Sequence, residues 1–222
     1  MYSIRPSWLM RKIYSSAFWR IPTKEKKIFL TFDDGPVPEI TPWVLSVLKE
    51  HNTKTTFFCV GANIEKHPDI FSQIVAEGHS IGNHTYNHLN GWKTKTKEYL
   101  ENVSKCDSAI NSNRLPEISN QSNCPPLTAY RLQLFRPPHG RMKQSQFSIL
   151  NSQFSIIMWD VLSGDFDKTI SEEKCLNNVL TKTREGSIVV FHDSIKSQKN
   201  LHYALPKFLE HFSNKGFSFE QL

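Results

Sequence analysis

Two histidines, His84 and His88, stand four residues apart in the run Asn-His-Thr-Tyr-Asn-His. On a helix, side chains at positions i and i+4 share one face, so both imidazoles can reach one metal ion. The zinc-protease helix has this spacing but carries a glutamate between its histidines as general base. Because Thr85, Tyr86 and Asn87 occupy those positions here, a base has to come from elsewhere in the chain. A pair of surface or capping histidines is an equally good interpretation of the spacing alone.

Adjacent carboxylates, Asp33 and Asp34, end an apolar, β-favouring run that starts at Ile28 and is stopped by Gly35 and Pro36. Burying two charges side by side is costly without a cation or another strong partner. The carboxyl ends of parallel strands are also where the active sites of α/β proteins collect. We therefore predict that one aspartate binds a metal and its neighbour acts as a base. A turn that happens to carry an extra aspartate is the alternative.

Three more predicted strands end in polar side chains that fit the same site. Arg136 follows an apolar strand and precedes two prolines, which stiffen the chain. Asp160, Asp165 and Asp167 lie at or just beyond the end of another strand, and His192 ends a third. Histidine changes its charge near neutral pH, which suits proton transfer. Four strand ends that finish in Asp, Arg, Asp and His are hard to explain by packing, so they predict an active site.

The elements that position these residues alternate along the chain. Apolar β-favouring runs predict strands over 28–33, 55–60, 154–160 and 187–191, with one more ending near 135. Helical spacing predicts helices from Thr41, as N-cap, and Pro42 onward, over 63–76 before Gly78, and over 171–183 and 203–213. Strand and helix alternation at this spacing is typical of parallel strands joined by crossover helices, an α/β fold.

Length and composition favour a single domain. A chain of 222 residues with 38% apolar positions can bury a full core. No run of about 18 apolar residues occurs, which excludes a membrane-spanning helix. The four cysteines lie far apart, so neither a disulfide framework nor a cysteine zinc site is predicted. The polar, aperiodic stretch 111–130 is predicted to be an inserted surface loop.

The net charge of +6 comes from the N-terminus. Residues 1–27 carry seven basic side chains and one acid, which leaves 20 of each in the rest of the chain. A neutral body argues against a nucleic-acid enzyme. We expect the basic, aromatic segment 1–26 to form a short helix that packs its aromatics against the domain, with contact to a membrane surface as the alternative. The segment contains no clear secretion signal, and both a cytoplasmic and a cell-envelope location stay open.

Taken together, these motifs resemble the polysaccharide deacetylase family, the NodB-homology domain of carbohydrate esterase family 4. The resemblance covers roughly residues 27–220 and includes all five family motifs in order, of which Thr-Phe-Asp-Asp-Gly-Pro and His-Thr-Tyr-Asn-His are the most specific. It implies a distorted (β/α) barrel of about seven parallel strands over residues 27–222. It also implies hydrolysis of N-acetyl groups on a glycan that contains N-acetylglucosamine, either chitin-like or peptidoglycan-like.

The resemblance also implies roles for the residues singled out above. Asp34, His84 and His88 would be the ligands of one divalent metal ion, with Zn²⁺ as the default and Co²⁺ or another divalent ion as the alternative. Asp33 would be the general base, and His192 the general acid.

Five further residues are implied to support or line the site. Arg136 would orient the base, Asp165 would hold the acid, and the backbone amide of His139 would bind the oxyanion. The family mostly has Tyr at the position of His139, Trp at that of Phe166 and Leu at that of Val190, where the side chain lines the pocket for the acetyl methyl. These differences affect the acceptor pocket and leave the metal chemistry intact.

The sequence leaves two classes of alternative function open. An enzyme of this kind can act on O-acetylated xylan or on a small cyclic amide or imide. A descendant of the family can instead bind carbohydrate without catalysis, but Asp33, Asp34 and His192 are all present. Trp92 is a candidate for stacking on a sugar ring, with helix packing as its alternative. No Gly-x-Ser-x-Gly elbow occurs, which argues against a covalent serine mechanism, and the sequence assigns no oligomeric state.

Overall fold

A curled sheet of parallel strands lies at the centre of the fold in the computed structural model, which describes residues 3–113 and 133–222. Within these ranges the strands are β1 (Lys27–Asp33), β2 (Thr56–Cys59), β3 (Ser80–Asn83), β4 (Gln133–Phe135), β5 (Phe154–Ile156), β6 (Val161–Leu162), β7 (Ile188–His192) and β8 (Ser218–Glu220). Seven of them follow the order β5-β4-β3-β2-β1-β7-β6, and β8 pairs with the start of β1. The predicted distorted (β/α) barrel of about seven parallel strands is confirmed.

Helices cover the outside of the sheet. In the described ranges they are α1 (Trp8–Ile13), α2 (Ile40–Glu50), α3 (Gly61–Lys66), α4 (Pro68–Ala76), α5 (Thr96–Ser112), α6 (Gln144–Leu150), α7 (Glu172–Lys182) and α8 (Gln198–Asn214). The predicted loop 111–130 lies outside the described residues, except for its first three, which end α5 and its cap.

Two helix predictions need correction. The single helix predicted over 63–76 is two helices, because Pro68 has no N–H to continue α3 and instead occupies the first turn of α4. Thr41 is not the N-cap of α2, which starts one residue earlier. Its hydroxyl accepts a hydrogen bond from the Val37 amide and donates one to Asp193.

Alternation along β1 divides its side chains between two environments. Ile28, Leu30 and Phe32 are fully buried and belong to the main core, which packs against α2 and α8. Thr31 and Asp33 alternate with them and therefore point to the other face of the sheet. This alternation puts Asp33 on the inner side of the barrel, at the carboxyl end of its strand.

The segment that precedes β1 bonds to both edges of the sheet. At the β5 edge, the Phe18 amide donates to the Ile156 carbonyl, and the Phe18 carbonyl accepts from the Met158 amide. At the β6 edge, the Leu162 amide donates to the Ile4 carbonyl. The segment therefore bridges the seam between β5 and β6, the two strands at the ends of the seven-strand path.

The apolar side chains of this segment divide into two sets. Tyr14 and Trp19 are buried in a core cluster, whereas Trp8, Leu9 and Ile13 on α1 are exposed. The expected short helix is present: Met10 on the helix packs against the core cluster to which Tyr14 and Trp19 belong, while Trp8 is exposed. No helix in the described part of the chain is long and apolar enough to cross a membrane.

Candidate active site

A cavity of about 280 Å³ opens at the carboxyl ends of the barrel strands. Seven of the residues singled out in the sequence line it: Asp33, Asp34, His84, His88, His139, Phe166 and His192. Arg136 and Asp165 lie behind the cavity wall and are fully buried. The topology thus brings together the ends of β1, β3, β4 and β7, as the parallel sheet requires.

His84 and His88 do not lie on a helix, although their spacing of four residues fits one. β3 ends at Asn83, and the chain then turns through Thr85 (φ 62°) and His88 (φ 54°), both in the left-handed region. The Asn83 side chain accepts a hydrogen bond from the Thr85 amide, and the Thr85 hydroxyl accepts one from the Leu89 amide. This hydrogen-bonded turn places the centroids of the two imidazole rings 5.1 Å apart.

Asp34, His84 and His88 form a cluster that fits a cation. Their ligand atoms all lie within 4.8 Å of one another. Oδ1 of Asp34 lies 3.0 Å from Nε2 of His88 and 3.7 Å from Nε2 of His84. It is buried and has no hydrogen bond of acceptable geometry. A carboxylate oxygen left in this way between two imidazole nitrogens is the donor set expected for Zn²⁺ or a similar divalent ion.

Hydrogen bonding prepares His84 to act as a ligand. Its Nδ1 lies 2.7 Å from the carbonyl oxygen of Arg136. Because a carbonyl can only accept, Nδ1 carries the proton and Nε2 faces Asp34 with its lone pair. Burial lowers the pKa of His84 to about 4, so the imidazole is neutral at physiological pH. This is the protonation state that a metal ligand requires.

The charge of Asp34 is stabilised by its neighbours. Burial disfavours its ionised form, but the close contact with His88 and the positive charge of His192 outweigh burial and hold its pKa well below the usual range. Asp34 therefore stays a carboxylate.

Asp33 is held by a buried arginine. Nη1 of Arg136 donates to Oδ1 of Asp33 at 2.7 Å and also to the Thr31 hydroxyl at 2.7 Å. The guanidinium lies over the Phe58 ring at 4.0 Å and donates further to the Met158 carbonyl at 3.1 Å. With this many partners the arginine is fixed, and it fixes the carboxylate in turn. The arrangement fixes the Asp33 carboxylate at the cavity wall.

His192 forms a pair with Asp165. The His192 amide donates to Oδ2 of Asp165 at 2.7 Å, and its Nδ1 lies 2.8 Å from Oδ1. Burial opposes protonation of the imidazole, but the charge and hydrogen bond of Asp165 outweigh it and raise the pKa of His192 to about 9. Because His192 stands in register with Asp33 on neighbouring strands, a protonated acid and a carboxylate face the same cavity.

The predicted residues of the acceptor pocket are placed differently. Val190 is fully buried and is not among the residues that line the cavity, and its contact with the acetyl group stays a prediction. Leu162, its partner in register across β6 and β7, lines the cavity instead. His139 lies in the left-handed region (φ 58°), with its ring 4.7 Å from that of His88. Phe166 packs edge-on against His192 at 5.0 Å.

Sequence reasoning missed three charged residues around the site. Asp193 is buried and accepts hydrogen bonds from the Gly35 amide and the Thr41 hydroxyl, which holds the turn after Asp33 and Asp34. Its place directly after a strand-ending histidine was a usable signal. Lys196 and Arg141 line the cavity. Nothing in their polar, aperiodic surroundings distinguishes these two from ordinary surface cations.

Trp92 lies outside the cavity wall and is half exposed. Its Nε1 donates to the Met142 carbonyl at 2.9 Å, and the Arg141 guanidinium lies 5.2 Å from its ring centroid. One edge of the indole is thus fixed to the protein while a large part of the ring faces solvent.

Comparison with known proteins identifies the family. A family model described as polysaccharide deacetylase matches residues 20–153. The chain belongs to this family. It is 34% identical over 218 residues to a peptidoglycan-N-acetylglucosamine deacetylase of Bacillus cereus, covering 97% of this chain and 73% of that protein. It is 31% identical over 175 residues to a chitooligosaccharide deacetylase of Azorhizobium caulinodans, covering 78% and 77%.

A solved structure gives the same result for the fold. The Bc1960 peptidoglycan N-acetylglucosamine deacetylase, in complex with 4-naphthalen-1-yl-N-oxidanyl-benzamide, superposes with a TM-score of 0.82 at 34% identity. The match covers 98% of this chain and 95% of the other. This chain is thus similar to that protein along nearly its whole length.

Proposed function

We propose that this polysaccharide deacetylase is a metal-dependent hydrolase that removes N-acetyl groups from a glycan containing N-acetylglucosamine. Relatives named as deacetylases of peptidoglycan N-acetylglucosamine and of chitooligosaccharides support the substrate class. One observation carries the proposal: the Asp34, His84 and His88 cluster, with an unpartnered carboxylate oxygen, lies beside the arginine-held Asp33 in one cavity.

Asp34, His84 and His88 would hold one divalent ion, for which Zn²⁺ is the first candidate and Co²⁺ or another divalent ion the alternative. Such an ion, when bound, polarises the acetyl carbonyl and lowers the pKa of a water molecule.

Asp33 is proposed as the general base. Its carboxylate takes the proton of the attacking water, which creates the nucleophile at the cavity wall. The buried Arg136 fixes the carboxylate by the 2.7 Å hydrogen bond and leaves its other oxygen for the water. A rigidly held base is effective because no reorganisation is needed when the proton moves.

His192 is proposed as the general acid. An amine cannot leave as an anion, so a proton must reach the amide nitrogen as the carbon–nitrogen bond breaks. With its pKa raised to about 9, His192 carries that proton at physiological pH. Asp165 keeps Nδ1 occupied, so Nε2 is the nitrogen that donates.

The remaining wall of the cavity fits the acetyl group and the oxyanion. Leu162 and Trp159 provide apolar surface for the methyl. The His139 backbone amide is proposed as the oxyanion donor, and it makes no hydrogen bond to the residues that the structure describes. A donor of this kind contributes about 3–4 kcal/mol to the transition state in comparable sites.

The test combines metal loading with two carboxylate variants. The protein is stripped of metal, reloaded with Zn²⁺ or Co²⁺, and assayed for acetate release from chitotetraose, a peptidoglycan fragment and acetylxylan. We expect activity to depend on the metal, and D33N to lose at least about 10³-fold in kcat while it still binds the ion. D69N, which changes an exposed aspartate on α4, is the matched control and should keep full activity.

Two results would count against this function. Acetate release that is unchanged in metal-stripped protein would remove the ion from the reaction. Activity on acetylxylan alone would assign the protein to O-acetyl esters instead of N-acetyl groups.

A further inference from the structure

Two cations on the cavity wall take no part in the proposed chemistry. Arg141 follows the short 3-10 turn Pro138–Gly140, and Lys196 lies in the loop between β7 and α8. The only acids among the residues that line the cavity in the described ranges are Asp33 and Asp34. Asp33 is paired with Arg136, and Asp34 belongs to the candidate metal cluster. The cavity therefore has a local excess of positive charge that hydrolysis of an amide does not explain.

Lys196 lies close to the candidate metal cluster. Its Nζ is 3.0 Å from Oδ2 of Asp34 and 5.8 Å from the Phe166 ring centroid, and its side chain is 44% exposed. A divalent ion held through Asp34 would place a second, stronger positive charge on the same carboxylate. The two cations then repel each other, and the pairing between Lys196 and Asp34 weakens. With an ion bound there, Lys196 would become available to another anion.

Arg141 is fixed in place but has no acidic partner in the described ranges. Its amide donates to the Pro138 carbonyl at 3.1 Å, and its carbonyl accepts from the Gly91 amide at 3.1 Å. The guanidinium lies over the exposed Trp92 ring. An arginine stacked on an aromatic ring keeps its N–H fork available, and this fork matches a carboxylate.

Both cations line the same cavity. Arg141 follows His139 by two residues, and the ring of His139 lies 4.7 Å from that of His88. Lys196 reaches the same cluster, because its Nζ contacts Asp34, whose Oδ1 lies 3.0 Å from Nε2 of His88.

We propose that Arg141 and Lys196 form a subsite for a carboxylate of the glycan. The substrate would then be an acidic glycan, in which an N-acetylglucosamine unit lies next to a carboxylate-bearing group as in a peptidoglycan strand. A neutral chitin oligomer gains nothing from these two charges. Because the body of the protein has equal numbers of acidic and basic residues, the preference has to come from this local pair. The inference rests on the proposed deacetylase function.

Kinetics with two substrates of equal length tests the subsite. The ratio of kcat/KM for a peptidoglycan tetrasaccharide with free carboxylates to that for chitotetraose is measured in the metal-loaded protein. We expect R141Q to lower this ratio about fivefold, mainly through KM. R141K should restore most of the ratio because it keeps the charge. K196Q should lower the ratio similarly, whereas K199Q is the control and should keep it, since Lys199 lies on α8 outside the cavity.

A binding measurement provides a readout that does not depend on turnover. Zinc-loaded D33N is titrated calorimetrically with the acidic tetrasaccharide and with the same compound methyl-esterified at its carboxylates. We expect the free acid to bind about fivefold more tightly, with the difference lost in D33N/R141Q and reduced by high salt.

The outcomes separate the two proposals. If both glycans are deacetylated and the ratio is the same in wild type, R141Q and K196Q, the anion subsite is wrong and the deacetylase function stands. If no glycan releases acetate, the proposed function is wrong, and the calorimetric comparison alone decides the subsite. Equal binding of the free acid and the ester by D33N overturns the subsite in either case.

Discussion

Two aspartates with buried side chains, Asp33 at the end of β1 and Asp160 just before β6, are both bound by arginine, but they differ in the number of partners around the carboxylate. Asp160 accepts from Arg11 at 2.8 Å and from the Ser187 hydroxyl at 2.8 Å, with Arg184 at 3.6 Å and Arg5 at 3.7 Å. It lies at the barrel seam and does not line the cavity. Asp33 has one arginine and lines the cavity. A carboxylate with a full set of partners stabilises the fold, whereas one that keeps an oxygen facing a cavity is available for chemistry.

The two arginine sets differ in the same way. Arg136 is fully buried, so it cannot turn to solvent if its partner is removed. The three arginines around Asp160 keep 33–47% of their side chains exposed. Two of them come from the basic N-terminal segment, so part of its charge excess serves to hold this segment on the barrel. This use of the charge was not predicted from the sequence.

The largest expected effect concerns the arginine that holds the base. R136K keeps the charge but loses the planar fork that reaches Asp33, Thr31 and the Met158 carbonyl together. We expect kcat to fall about 100-fold, because the base is no longer fixed. R184K at Asp160 is the matched substitution and should leave kcat unchanged. Equal kcat in R136K and wild type would show that the way Arg136 holds Asp33 does not matter for catalysis.

A second effect concerns the proton on His192. Its pKa is raised to about 9, above the ordinary 6.5, so the paired, charged form persists across neutral pH. The stability contributed by the pair is fully present below pH 6.5 and is lost as the pH rises through about 9. D165N removes the main cause, and we expect the imidazole titration of metal-free protein, followed by NMR, to move toward 6.5. The alkaline limb of kcat should move in the same direction.

An unchanged titration of His192 in D165N would contradict the assignment of Asp165 as its partner. His79 is an internal control in the same spectra. It directly precedes β3, at the end of the strand opposite to the active site, and burial lowers its pKa to about 4.

The smallest expected effect is a change in stability at the seam. D160N should lower the free energy of unfolding by about 2 kcal/mol, because hydrogen bonds to a charged group are lost while the arginines turn to solvent. Burial opposes ionisation of Asp160, but Arg11, Ser187 and the other arginines outweigh it and lower its pKa. The difference from wild type should therefore hold above pH 4 and shrink as the pH falls below 3.8, the ordinary value. Urea unfolding measures it, and a matching loss of kcat would contradict the structural role.

The sequence was sufficient to predict which strand ends meet, because apolar runs and parallel topology bring Asp33, Arg136 and His192 to one edge. It did not predict the conformation that joins His84 to His88. The two positive φ angles there are fixed by the Asn83 and Thr85 side chains, and a spacing of four residues fits a helix equally well.

The sequence also did not predict which side chains at the end of the sheet point into the cavity. Val190 and Leu162 are neighbours in register on β7 and β6, but of the two it is Leu162 that lines the cavity. Lys196 reaches Asp34 from a loop without periodicity. The sequence predicted that the N-terminal segment packs against the domain, but it did not predict the hydrogen bonds to the two sheet edges, because their partners lie more than 130 residues away.

The central claim is that one carboxylate and two imidazoles hold a single divalent ion. Metal content measured after loading with Zn²⁺ and gel filtration tests it most directly. The account predicts about one zinc per chain in wild type and in H139A, whose histidine lies beside the cluster without belonging to it, and a loss of at least about tenfold in metal affinity in H84A. Full zinc retention in H84A, or wild-type protein without zinc, would contradict it.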